Sequence, residues 1–220
     1  METWQIALLI YLALFAMTLL FVALTAALLR LVGGRATAIQ LGTPPLVTLR
    51  RAAPRIRLGP IPLGSVEMLG ASQPAEVSPG EHDWRRLGSS RQLLVTLGPW
   101  LAIAAITVAL LGPSHTGRSF ASALNQLLLT LDPTPLVRRF LALAASAPPS
   151  VVVGILLAKL VVLNLLPFGP FAGGQVVTVL ASAGKRETPK AVQIWLIASM
   201  AFSLFYVSGR FAYAFIRVLV

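Results

Sequence analysis

The chain has 220 residues, is 56% hydrophobic and 11% charged, carries a formal net charge of +11 and contains no cysteine. Its mean hydropathy is +0.81. A soluble domain of this size cannot hide that much apolar surface in one core, so the composition indicates an integral membrane protein. The lack of cysteine excludes disulfides, thiolate nucleophiles, iron–sulfur clusters and cysteine-ligated zinc.

The first apolar stretch, Trp4 to Val32, reaches membrane length, with Trp4 placed for the interfacial aromatic belt. Its flank "METWQ" carries Glu2 and no positive charge, the run exceeds a signal h-region, and no small-residue cleavage site follows, so a retained membrane helix is expected. Next comes "TAIQLGTPPLVTLRRAAPRIRLGPIPLGSVEML", whose β-branched pieces are separated by Pro and Gly. This pattern predicts a membrane-associated β-hairpin over 36–68, with strands Ala36–Leu49 and Ile56–Met68. Residues 72–91 read as polar and irregular.

A second span is expected over Gln92–Leu111. The segment Ser119–Ala145 alternates apolar faces with Asn, Asp and Arg, which predicts helices lying on the bilayer surface, broken at Pro133 and Pro135. A short third span covers Val151–Pro167, and a fourth covers Ala191–Val218. The expected fold class is therefore mainly α: a polytopic membrane protein of four transmembrane helices, with a β-hairpin after the first, in one domain over 1–220.

Nine arginines between Arg30 and Arg91 lie between the first two spans, and Lys185, Arg186 and Lys190 lie between the third and fourth. The positive-inside rule places these segments in the cytoplasm and both termini outside it. Basic loops beside apolar spans are expected to meet anionic lipid rather than nucleic acid.

The segment "NLLPFGPFAGGQ", residues 164–175, ends an apolar run with prolines and two adjacent glycines. At membrane depth such backbone frees polar groups that lipid cannot satisfy, so it is tolerated only where protein buries it or water reaches it. The other reading is a helix that ends normally at Pro167, at the interface.

Four motifs in order then acquire a common meaning: "RLVGG" after the first span, "IPLGSVEMLG" at 61–70, "RQLLVTLGPWLAIA" opening the second span, and "NLLPFGPFAGGQ". Together they resemble the site-2 protease family of intramembrane zinc metalloproteases, in a compact form without a PDZ insertion. The resemblance implies a zinc site with HExxH on the first span and an aspartate on the third. It also implies that the hairpin and the Asn164 loop hold an extended peptide segment.

The chemistry does not follow the resemblance. By the family spacing, the HExxH positions fall on Phe21, Val22, Ala23, Leu24 and Thr25, and the aspartate falls on Ala172. Zinc needs His, Cys or carboxylate ligands, and no such residue occurs between Glu2 and Glu67 or between Asp132 and Glu187. His82 and His115 lie in predicted connecting segments on opposite sides of the membrane. No Ser–His–carboxylate set and no phosphate-binding glycine loop is present.

The expectation is accordingly a proteolytically inactive protein without a metal or other cofactor, serving as a structural or regulatory binding subunit beside another integral membrane protein. The competing functions are an active intramembrane metalloprotease and a small transporter or channel component. The residues expected to carry partner binding are Lys159, Asn164, Pro167, Gly173 and Gly174. Asn164 has two readings, partner capture or a bond to its own helix end. Lys159, with apolar neighbours on both sides, either snorkels or faces inward and fills the vacated metal site.

Overall fold

The computed structural model describes residues 3–49, 54–70, 80–130, 132–169, 171–183 and 188–219. The basic residues Arg50, Arg51, Lys185 and Arg186 and residues 72–79 of the 72–91 connection lie outside them.

Helix α1 (Thr3–Leu31) runs for 29 residues without a proline or glycine to interrupt it. Helix α2 (Ser89–Leu111) is nearly as apolar and absorbs Pro99 in its interior. Prolines set the starts of α3 (Pro113–Leu129), α4 (Thr134–Ser146) and α5 (Pro149–Leu165). A first-turn proline lacks only an N–H that would have had no helical partner anyway. Helix α6 (Ala172–Ala181) follows the broken turn, and α7 (Lys190–Phe202) and α8 (Gly209–Leu219) are joined by a π-helical segment, Ser203–Ser208.

The expected four-span fold class is corrected on two counts. Among the described residues only two helices are long and apolar enough to cross a membrane, Trp4–Leu31 and Ser89–Leu111. The expected third span is the 17-residue α5, too short by this measure. The expected fourth is interrupted: α7 has 13 residues, the π segment changes the helical register, and α8 carries Arg210 and Arg217. Apolar composition over 191–218 hid this break, because hydropathy does not register a change of helical pitch.

The hairpin is corrected as well. Its two long strands are four: β1 (Ala36–Thr43), β2 (Val47–Leu49), β3 (Arg55–Leu58) and β4 (Ile61–Met68), in the order β2-β3-β1-β4. Strand β1 pairs parallel with β3 and antiparallel with β4, so the sheet is mixed. Pro44 and Pro45 end β1 early, since proline cannot donate to a ladder.

The chain forms two compact units. One comprises the residues up to Ile10, Ala102–Thr178 and those from Pro189; the other comprises Tyr11–Leu101 and Val179–Thr188. The first unit has two apolar centres: Ile6 with Ala144 and Val152, and Leu127 with Leu166, the latter surrounded by Phe168, Phe171, Tyr206 and Phe211. The second unit is organised around α1, as described below.

Candidate functional site

In the second unit, strand β4 lies lengthwise against α1. The Tyr11 hydroxyl donates to the Pro60 carbonyl at 3.0 Å, and the Thr18 hydroxyl donates to the Pro62 carbonyl at 2.7 Å. One step further along both elements, Gly64 faces Thr18 and Val22; a Cβ there would stand 2.5 Å from Thr18 Cγ2 and 2.8 Å from Val22 Cγ2. Thr18 sits at the middle of the Trp4–Leu31 span. Pro60 and Pro62 have no N–H to satisfy, and helix hydroxyls satisfy their carbonyls, so this stretch of strand leaves few polar groups bare.

The register gives the sheet two unlike faces. Side chains of directly paired residues share a face. Val47, Leu49, Ile56, Leu58, Ile39 and Leu41 fall on one side, whereas Thr48, Arg55, Arg57, Gln40, Ser65 and Glu67 fall on the other. Arg57 and Glu67 form an ion pair on the polar side. Helix α1 covers the apolar side at Gly64. At the far edge Val47 and Leu49 are 51% and 52% exposed, and β2 pairs only with β3 among the described residues.

The positions that the resemblance assigns to the metal are absorbed into packing. Phe21 packs against Trp100 with ring centroids 4.9 Å apart and the planes tilted by 38°. Val22 is 3% exposed beneath Gly64. The Thr25 hydroxyl donates to the Phe21 carbonyl one turn back, at 2.7 Å. Ala172 is buried at the start of α6. These residues do not fit a zinc ion: none has an imidazole, thiolate or carboxylate to offer.

The turn at 164–175 has a packing explanation. A Cβ at Gly173 would collide with the carbonyl oxygens of Leu165 and Leu166, and one at Gly174 with that of Phe168. The paired glycines therefore let α6 begin directly against the end of α5. The Asn164 amide donates to the Leu160 carbonyl at 2.9 Å, within its own helix, and the Trp195 indole N–H caps the Pro167 carbonyl at 3.0 Å. Gly169 N–H donates to the Ser199 hydroxyl at 2.9 Å.

Lys159 does not turn to these carbonyls. Its ammonium donates to Gln126 Oε1 on α3. Each histidine has a local partner: the His82 ring meets the Gly33 carbonyl at the end of α1, and His115 lies beside Arg118.

Hydropathy and motif reading missed one cluster outright. Asp83, 2% exposed, accepts from the backbone N–H of Arg85 at 2.8 Å and from its guanidinium at 2.9 and 3.1 Å. The Arg85 guanidinium holds the Asp83 carboxyl below the usual carboxylate range. Gly70, at φ +82°, is what allows the chain to pass this carboxylate. A buried acid in a polar connection is a signal that sequence alone does not distinguish from a solvated one. No family model matches the chain, and no curated protein or solved structure is significantly similar to it.

Proposed function

We propose that the protein is a proteolytically inactive, site-2-protease-like membrane protein that serves as a structural or regulatory binding subunit of a membrane complex. The observation that carries this reading is the contrast at the sheet. The residues at the family's metal positions, Phe21, Val22 and Thr25, are committed to internal packing, while strand β2 has an outer edge with no partner among the described residues and with exposed Val47 and Leu49. An open apolar edge is a template for an added strand. The partner is another integral membrane protein that contributes an extended segment to β2.

The chain is placed in the bacterial inner membrane with α1 and α2 as spans. The arginine-rich connection between them is on the cytoplasmic side and the N-terminus is on the other. The orientation is tested by labelling single cysteines, which have no native cysteine to compete with them. Labelling of a cysteine at Glu81 only from outside overturns it.

The binding role is tested with photo-crosslinkers at Thr48 and Glu81 in native membranes. A discrete membrane protein captured from Thr48 and not from Glu81 is the expected result. Equal capture at both positions rejects β2 as the docking edge. Binding of about one zinc per purified chain, with peptide-bond cleavage lost on chelation, rejects the inactive reading altogether.

A further inference from the structure

The first unit holds a cavity of about 630 Å³ between α3, α4 and α5, with Phe211 of α8 at one side. Its walls are mostly hydrocarbon: Ala123, Leu127, Val137, Phe140, Leu156 and Leu163 are among them. His115 and Leu127 both line it, so it follows α3 for about 18 Å at 1.5 Å per residue. That length suits an alkyl chain. The volume falls within the range of small-molecule sites, roughly 300–1,000 Å³.

The formally charged groups of the lining are all cationic. Lys159, Arg118 and Arg139 border the cavity, with His115 beside Arg118, and among the described residues no aspartate or glutamate does. Lys159 is the half-buried member, and its position is fixed by a relay: Gln126 Nε2 donates to Ser122 Oγ at 2.7 Å, which turns Gln126 Oε1 toward the Lys159 ammonium. The partner of Lys159 is thus a neutral amide. Among the described residues neither it nor the two arginines is in an ion pair. A half-buried ammonium with only a neutral partner gains most from an anion brought to it.

We propose that this cavity binds an anionic amphiphile, its alkyl chain along α3 and its carboxylate or phosphate head against Lys159 and Gln126. The same chemistry is offered by a free fatty acid and by the acyl chain and head of an anionic phospholipid. The apolar walls supply affinity without direction, and the lysine fixes which end goes where. This site is separate from the strand edge proposed above and would stand if that reading fell.

The test uses the full chain in nonionic detergent and three variants, Lys159→Gln, Lys159→Arg and Leu156→Trp, each first checked for an unchanged melting curve. The probes are oleate and oleyl alcohol, measured by calorimetry or tryptophan quenching. Oleate is expected to bind about tenfold more tightly than the alcohol, the preference being lost in Lys159→Gln and kept in Lys159→Arg. Leu156→Trp, which fills the cavity, is expected to weaken both probes. Competition by phosphatidylglycerol but not phosphatidylcholine identifies bilayer lipid as the source of the ligand, and competition by neither identifies the free acid. Equal affinity for oleate and the alcohol, or an unchanged preference in Lys159→Gln, overturns the assignment. If both lysine variants melt early, Leu156→Trp decides alone: unaltered oleate binding in that variant rejects the cavity.

Discussion

Thr18→Val isolates the contact that places the strand beside α1. Valine has nearly the shape of threonine, so the 3%-exposed site acquires no cavity and keeps its contact with Gly64. What disappears is the 2.7 Å donation to the Pro62 carbonyl. A net hydrogen bond contributes about 1 kcal/mol, and a buried acceptor left without a donor costs about 1–3 kcal/mol. Hydrogen bonds within membrane proteins average nearer 0.6 kcal/mol, with a maximum of about 1.7. With Thr18 only 3% exposed, the upper part of that range applies, about 1.5 kcal/mol. For a chain of this size that lowers the melting midpoint by about 3–6 °C. The assay is thermal unfolding in a mild detergent, with Thr18→Ser as the variant that retains the hydroxyl. A Thr18→Val protein as stable as wild type, or a Thr18→Ser protein equally destabilised, refutes the argument that this hydroxyl satisfies the strand.

Three further outcomes are expected. Gly173→Ala and Gly174→Ala drive a Cβ into backbone carbonyls and should each destabilise by about 2 kcal/mol or more, whereas Gly80→Ala, which meets nothing within 4 Å, should change the unfolding midpoint little. Arg210 donates to the carbonyls of Tyr206 and Leu127 and to that of Thr130, with its guanidinium 3.6 Å from the Tyr206 ring centroid; Arg210→Lys keeps the charge but loses the fork, and should loosen α8 by about 1–2 kcal/mol, read as faster proteolysis after Thr130. The Asp83 carboxyl titrates below its ordinary value because of Arg85, so its contribution to stability is complete above the ordinary carboxylate range and is lost as pH falls through the depressed folded value. Trp84 fluorescence followed to acid pH should therefore report loosening of this segment in wild type, and Asp83→Asn should show a flatter profile with lower stability at neutral pH.

Several features could be read directly from the chain. Apolar length found α1 and α2, the two helices long and apolar enough to cross a membrane, but it also marked 151–167 and 191–218, where the helices are shorter or interrupted. The missing metal ligands were equally legible, since residue identity settles which atoms are available to coordinate. The sheet was legible as alternating, proline-punctuated segments between Ala36 and Met68, but its pairing was not. Which strand lies beside β1 depends on non-local contacts, and alternation is the same in a parallel and an antiparallel ladder.

The limits are clearest at single residues. Asn164 and Lys159 stood out as polar groups in apolar helices, yet the sequence could not tell that one bonds back to its own helix and the other reaches Gln126, 33 residues away. Asp83 gave no sign of being buried, since its burial comes from the close approach of Gly70. Composition and residue identity by themselves determined the strongly apolar character, two helices long and apolar enough to cross a membrane out of the four spans expected, and the lack of zinc ligands at the positions the resemblance assigns to the metal. Only the tertiary structure decided the sheet order, the pairing of α1 hydroxyls with strand carbonyls, the break at Ser203–Ser208 and the cavity beside Lys159. The physical reason is that hydropathy and periodicity are local sums along the chain, whereas a hydrogen-bond partner, a buried charge or an enclosed volume exists only once distant segments have met.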